Sequence, residues 1–274
     1  MTRINENKKS TRACTQHRMT NLHSCKRSQV TIFIIVAIII VAAIIGFFVF
    51  FKPSFKPAPQ IESPEAYIES CMKDAAKDAI DILGMRGGDI NPINYFNYQN
   101  KKVRYLCYTN LNYEKCTNQE PMLKQHIESE ITNYALPALK ECASNIKKDF
   151  EKRGYAVEAD TDNILLKTSI QPENVVIDVE FEFIASKGEE NIKSDKFEGM
   201  LKEPLYDLVI LAGEIVNQEV TWGNFNIDGY MMLYPKHKVE RDKINEIRIY
   251  TLTDRATQRQ FRFAVRGYVL PAGI

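Results

Sequence analysis

The chain has 274 residues, of which 45% are hydrophobic and 26% are charged, and its 36 Lys+Arg nearly balance its 35 Asp+Glu. This composition excludes a wholly disordered chain, a collagen-like fibre and a transporter with many membrane spans. A formal net charge of +1 gives no basis for a nucleic-acid partner. The charges are unevenly placed, however. Residues 1–29 hold seven bases and one acid, residues 30–51 hold no charge, and residues 52–274 hold 29 bases and 34 acids.

The first predicted element is an apolar run from Val30 to Phe51, in which Thr31 is the only polar side chain. As a helix it would be about 33 Å long, enough for a hydrocarbon core of about 30 Å. Lys and Arg next to a span tend to stay in the cytoplasm. We therefore expect one N-terminal transmembrane helix at 30–51 in the lipid bilayer of the cell membrane. Residues 1–29 would be a basic cytoplasmic tail or leader, and residues from 52 onward would be extracellular.

The junction before this run reads Lys26-Arg27-Ser28-Gln29-Val30-Thr31-Ile32-Phe33. It resembles the class III, prepilin-like signal segment of archaeal surface proteins, which a prepilin-type peptidase cuts before a Gln on the cytoplasmic side. The resemblance implies cleavage between Ser28 and Gln29, with the apolar helix kept on the mature protein. The common pilin pattern has Glu at the fifth mature position, where this chain has Phe33. An uncut signal anchor is the alternative.

The outer part begins with a Pro-rich stalk at 52–62, where three prolines in seven residues should end the helix. Ser63-Pro64-Glu65 then predicts a helix start, with Ser at the N-cap and Pro in the first turn. Apolar residues at helical spacing predict a second helix at about 121–150, which Pro137 should kink. We expect these helices to pair as a helical hairpin module at 63–153, with a Tyr/Asn-rich insertion between them.

Past Gly154 the apolar period changes from 3.6 to 2, which predicts strands, with one further helix that starts at Pro204. Residues 177–183 carry acids on their polar face, whereas the polar positions of 261–266 carry Arg262 and Arg266. Because opposite charges on neighbouring strands attract, we expect both segments in one antiparallel sheet. The predicted fold class is an α+β ectodomain, a helical hairpin plus an antiparallel sheet. It is either one unit or a helical hairpin module followed by a sheet module at 154–274.

Four cysteines lie in the outer part, an even number in a compartment where disulfides persist. Cys71 is eight residues after the predicted start of the first helix, and Cys142 is eight residues before the predicted end of the second. Two antiparallel helices would bring these positions level. Cys107 and Cys116 flank a polar run suited to a loop. The spacing therefore predicts Cys71–Cys142 and Cys107–Cys116, with four buried free thiols as the alternative.

Catalytic signatures are missing from the sequence. His126 begins His-Ile-Glu-Ser-Glu, which lacks the second His of a zinc-protease helix, and no phosphate-binding loop or nucleophile elbow occurs. Asp160-Thr-Asp-Asn163 begins like a calcium loop but lacks its glycine, so we expect a turn between strands. The sequence therefore predicts no catalytic residue, no cofactor and no metal site.

The most suggestive feature outside the apolar run is a cluster of aromatic residues interleaved with asparagines. Tyr and Asn provide amphipathic contact area and adaptable hydrogen bonds, which suit recognition of a surface protein or a glycan. The alternative is a tyrosine-rich loop that packs over the helical pair. The cluster consists of Tyr95, Phe96, Tyr98, Tyr105, Tyr108 and Tyr113.

Several short pieces of the outer part carry a second, looser resemblance. They are Tyr67-Ile68-Glu69-Ser70-Cys71, Gly87-Gly88, Tyr105-Leu106-Cys107-Tyr108, Cys116 with Gln119-Glu120-Pro121, and Phe261-Arg262-Phe263-Ala264-Val265-Arg266. On these pieces the outer domain resembles an uncharacterised family of membrane-anchored proteins from small-genome archaea. The resemblance implies the same topology and carries no catalytic residue across.

One anchor, a stalk, paired cysteines and no catalytic signature together predict a membrane-anchored surface protein that binds or scaffolds a partner, and not an enzyme. The Ser28–Gln29 junction supports an alternative, a subunit of a type IV pilus-like filament. A second alternative is an envelope enzyme with an unrecognised site, which would need convergent acids or an exposed nucleophile in a cleft.

Overall fold

The computed structural model describes residues 28–50 and 63–267, and within the first range it describes the side chains of 33–44 only. Residues 1–27, the stalk at 52–62 and residues 268–274 lie outside the described residues. Helix α1 (Ser28–Phe50) contains most of the apolar run and belongs to a unit of its own, Met1–Pro59. Its described side chains are apolar and exposed. Judged on the described residues alone, no helix combines the length and apolarity of a candidate membrane span.

The second unit, Gln60–Ile274, is built from helices and sheets, so the predicted α+β class is confirmed. Its helices are α2 (Pro64–Gly84), α3 (Leu123–Lys152), α4 (Leu205–Trp222) and α5 (Ile227–Leu233). Its strands are β1 (Tyr95–Tyr98), β2 (Lys101–Tyr108), β3 (Thr117–Asn118), β4 (Ala156–Ala159), β5 (Leu165–Gln171), β6 (Asn174–Lys187), β7 (Glu190–Lys202), β8 (His237–Ile244), β9 (Ile247–Asp254) and β10 (Gln260–Arg266).

The first sheet is mixed and has six strands in the order β1-β2-β10-β9-β8, with β3 added beside β2. Strands β2 and β10 run parallel, whereas the other neighbours are antiparallel. The β2–β10 register shifts after the pair Ala264–Tyr105, because Val265 lies opposite Cys107 and Leu106 is the extra residue. Such a bulge turns the following side chains to the other face of the sheet. Tyr105 and Tyr108 consequently share a face, with ring centroids 4.9 Å apart.

The second sheet has four antiparallel strands, in which the long strand β6 pairs with β7 along one edge and with β4 and β5 along the other. The prediction that 177–183 and 261–266 share one sheet is therefore wrong. The acidic face of β6 instead meets lysines from β7, with Glu180–Lys196 and Glu182–Lys193 both at 3.3 Å. The acidic face of β6 correctly predicted a basic neighbour, but the prediction assigned that neighbour to 261–266 instead of β7.

Helices α2 and α3 pack against each other, and α2 starts where the sequence predicts. The Ser63 hydroxyl caps it by accepting a hydrogen bond from the Ala66 amide at 3.1 Å. In α3 the buried residues recur every three or four positions, as in Ile127, Ile131 and Ala135, and they continue past Pro137. The helical pair therefore presents apolar stripes inward, as the periodicity predicts.

A shared hydrophobic core joins the helical pair to both sheets. It includes Ile80 from α2, Ile131 from α3, Phe183 from β6 and Phe263 from β10, each fully buried. Helix α4 contacts strands of both sheets and so lies between them. The residues predicted as two modules, 63–153 and 154–274, thus belong to one compact unit as far as they are described. The core does not cover the outward face of α4 beside α5, where Ile210 is exposed.

Candidate binding groove

An open cavity of about 700 Å³ lies between α4 and α5, and we call it the groove. Side chains from both helices and from the segment after α5 form its walls. Pockets of roughly 300–1,000 Å³ are typical of ligand sites. The groove is lined by Tyr206, Asp207, Ile210, Leu211, Glu214, Gln218, Phe225, Asn226, Gly229, Tyr230, Leu233, Tyr234 and His237.

Several large apolar side chains of the groove point to solvent. Ile210 on α4 is 50% exposed, Leu233 on α5 is 75% exposed, and Tyr234 just after α5 is 55% exposed. Trp222, at the end of α4 and outside the groove lining, is also 75% exposed. Adjacent exposed apolar residues cost free energy in water and mark interaction surfaces more often than scattered ones do. The groove therefore has the character of a binding surface.

Aromatic rings and a buried histidine are part of the groove lining. The ring centroids of Tyr230 and Tyr234 are 4.8 Å apart, and the Tyr230 hydroxyl lies 3.2 Å from Nδ1 of His237. Burial lowers the pKa of His237, and its Nε2 has no hydrogen-bond partner among the described residues. Burial also raises the pKa of Tyr230, as does its neighbour Tyr234. Both groups are thus held in their neutral forms near neutral pH.

Two carboxylates give the groove its charge. Asp207 pairs with Lys236 at 2.5 Å, and Lys236 lies outside the lining. Glu214 is exposed and accepts a hydrogen bond from the Gln218 amide at 2.8 Å. Both carboxylates act on the Tyr230 hydroxyl and add to the rise of its pKa. The lining contains no Lys or Arg, so the formally charged side chains in it are the two carboxylates.

The predicted aromatic cluster lies elsewhere, on β1, β2 and the loop that follows. Residues Phe96, Tyr98, Tyr105 and Tyr108 pack on the face of the six-stranded sheet that carries Ile249. Tyr98 donates a hydrogen bond to Asp242, and the Arg262 guanidinium lies 4.9 Å from its ring centroid.

These rings therefore pack against the first sheet, whereas the sequence alternative had them packing over the helical pair. Tyr95 is half-buried at the start of β1, and the Lys102 ammonium lies 4.6 Å from its ring centroid. Tyr113, 53% exposed in the loop after β2, is the most open member of the predicted cluster. The structure thus brings most of the cluster together and leaves Tyr113 apart from it.

A second cavity, of about 360 Å³, lies beside the loop after α2, strand β2 and the start of α3. Arg104 binds Asp89 at 2.5 Å and Glu120 at 3.0 Å, and Nε2 of His126 contacts the same Asp89. The hydrogen bond to Asp89 raises the pKa of His126, although burial opposes that rise. These charged groups are paired with one another. The ion pairs therefore join the loop after α2, strand β2 and the start of α3. No group of His, Cys, Asp and Glu in the described residues is arranged to hold a metal ion.

The remaining predicted residues divide between the two units. The structure contains the disulfides Cys71–Cys142, with Cα atoms 6.5 Å apart, and Cys107–Cys116, with Cα atoms 5.4 Å apart. The first joins α2 to α3, and the second joins the end of β2 to the residue before β3. Ser28 and Gln29, the predicted processing site, are the first two residues of α1.

The sequence reading did not identify the groove, although a signal was present. Tyr206, Ile210, Glu214 and Gln218 recur every four residues, which places them on an inclined row of α4 beside its buried stripe. Asn226, whose side chain accepts a hydrogen bond from the Gly229 amide at 3.1 Å, marks the start of α5. A seven-residue helix is too short to show a period, so α5 was missed. Comparisons of the chain with protein-family models, curated proteins and solved structures find no match.

Proposed function

We propose that this chain is a single-pass, membrane-anchored cell-surface protein whose disulfide-stapled ectodomain binds or scaffolds a partner through the groove. The apolar run Val30–Phe51 and the basic excess before it support the anchor and its orientation. The two disulfides support an oxidising compartment for the ectodomain. The archaeal class III resemblance supports removal of the leader between Ser28 and Gln29 by a prepilin-type peptidase.

The observation that carries the binding role is the exposed apolar surface of the groove. Ile210, Leu233 and Tyr234 line one cavity and are each at least half exposed. A partner that covers such side chains removes their apolar surface from water, which is favourable by about 25 cal/mol per Å². A partner that covers them accounts for their position.

The orientation is tested by adding protease to intact cells that express the full-length chain with a C-terminal tag. We expect digestion of the ectodomain from outside, and complete protection of the tag would contradict the proposal. Intact-mass measurement of the membrane-purified protein then reports leader removal, because cleavage before Gln29 removes 28 residues of known mass.

The binding role is tested by placing a photo-crosslinking amino acid at Leu233 in the full-length protein within its host membrane. The control places it at Met200 on β7, which is 50% exposed and outside the groove lining. We expect a discrete adduct from position 233 that Ile210→Lys abolishes, and none from position 200. Equal labelling at both positions, or none at 233, would refute a partner in the groove.

A further inference from the structure

The groove is elongated along α4. Tyr206 and Gln218, both in the lining, are twelve residues apart along α4, so the wall they bound is about 18 Å long. An extended chain advances about 3.3 Å per residue, so the wall matches five or six residues of peptide. A single amino acid or small amine would leave most of it uncovered.

The charge of the groove selects against anions. Asp207 and Glu214 would repel a phosphate or an acidic peptide, and the lining has no Lys or Arg to hold one. Asp207 is already paired with Lys236. Glu214 has a neutral partner, the Gln218 amide, and no ion pair with any described residue. Glu214 is therefore the carboxylate available to a cation from outside.

The aromatic rings suit the same guest. Tyr206, Tyr230 and Tyr234 line the cavity together with Glu214, and a cation over a tyrosine ring is attracted by the negative face of the ring. Ile210 and Leu233 offer apolar contact to the rest of the guest. Aromatic-lined grooves are one of the recurring ways in which proteins hold extended peptides.

We infer that the groove binds an extended, apolar peptide segment of a partner protein that carries one Lys or Arg, with the cation beside Glu214 and over the tyrosine rings. This inference rests on the proposed binding role and adds the chemical class of the partner.

The test is selection of a random hexapeptide display library against the full-length, disulfide-intact chain in lipid nanodiscs. We expect enriched peptides to contain Lys or Arg between aliphatic or proline residues. Synthetic copies should bind Glu214→Gln about five-fold more weakly than the parent, because a charge-assisted contact is lost. Replacing the peptide's Lys by norleucine should weaken binding to the parent by at least the same factor. It should weaken binding to Glu214→Gln less, because only the contact of the cation with the tyrosine rings is then lost.

Two controls separate failure of this inference from failure of the proposed function. Glu198→Gln removes the same charge from the exposed face of β7 and should not change the affinity. Peptides that bind in the groove should no longer bind Leu233→Lys. If such peptides contain no cation, or bind Glu214→Gln as tightly as the parent, the inferred cationic class is wrong and the proposed binding role of the groove is kept. If enriched peptides bind Leu233→Lys as well as the parent, the groove itself is refuted. If free lysine amide bound the parent as tightly as the selected peptides do, the peptide inference would be overturned and the ligand would be a small amine.

Discussion

The two described histidines occupy opposite environments within one domain. His126 lies between acidic neighbours, and its hydrogen bond to Asp89 favours the charged form. His237 is buried beside Tyr230, and burial favours the neutral form. Because an unperturbed histidine titrates near pH 6.5, both shifts act on stability within the physiological range.

The free energy of unfolding should depend on pH through both histidines, and the two contributions should have opposite signs. A raised pKa stabilises the folded state below about pH 6.5, and that stability is lost as pH rises through the folded pKa of His126. A lowered pKa stabilises above about pH 6.5, and that stability is lost as pH falls toward the folded pKa of His237. We expect His126→Gln to destabilise by about 1.5 kcal/mol at pH 5.5 and by less at pH 8.

The measurement is the free energy of unfolding in urea, taken from pH 5 to 9, for the parent, His126→Gln and His237→Gln. Against His237→Gln the parent should lose stability as the pH falls, the reverse of its behaviour against His126→Gln. Differences that are flat with pH for both variants would show that neither histidine changes its pKa on folding.

At the scale of the elements, the sequence was informative wherever one face was buried and the other wet. The stripe of α3 and the alternation of β6 followed this rule, and both were predicted. Strand β7 (Glu190–Lys202) is mostly exposed and polar, so its apolar alternation is too weak to predict a strand. Pairing partners depend on long-range packing, which is why the single predicted sheet became two.

Cysteine spacing predicted contacts that strand patterns could not. Two antiparallel helices of similar length bring residues equally far from the hairpin's open end to the same level, and this argument located Cys71 and Cys142 without any sheet topology. The Tyr cluster shows the limit of such reasoning, because the bulge at Leu106 decides which face Tyr108 occupies. The local sequence does not predict that bulge.

Removing each disulfide should destabilise according to the chain it encloses. Cys71 and Cys142 are 71 residues apart and Cys107 and Cys116 are 9 apart, so loop closure predicts losses of about 4 and about 3 kcal/mol. We expect paired Cys→Ser variants to show this order in urea unfolding. A larger loss from Cys107→Ser/Cys116→Ser would show that native packing around β2 and β3 matters more than the enclosed loop.

At the scale of the whole molecule, the sequence left open whether the helical hairpin and the sheet form one unit or two modules, and the structure packs them into one core. Helix α2 contacts β7 and β10, and α3 contacts β4 and β5, so neither sheet is independent of the helical pair. The apolar stripes of α2 and α3 predict that both helices are packed on one face. The sequence does not show whether the two helices pack only against each other or also against the sheets. The groove was not predicted because its exposed lining residues, such as Ile210 and Leu233, do not belong to the buried stripes from which the elements were predicted.

Shared packing has a direct consequence for unfolding, which should be a single cooperative transition of the segment 60–274. Ile131 on α3 and Phe263 on β10 belong to the same buried cluster, so truncating either opens a cavity in one common core. We expect Ile131→Ala and Phe263→Ala each to lower the free energy of unfolding by about 3 kcal/mol and to move the whole transition. The measurement is urea unfolding followed by far-ultraviolet circular dichroism and by near-ultraviolet circular dichroism of the aromatic rings, of which Tyr250 and Phe263 are fully buried. Independent modules would instead give two transitions, of which Ile131→Ala would shift only the helical one, and the two probes would no longer coincide.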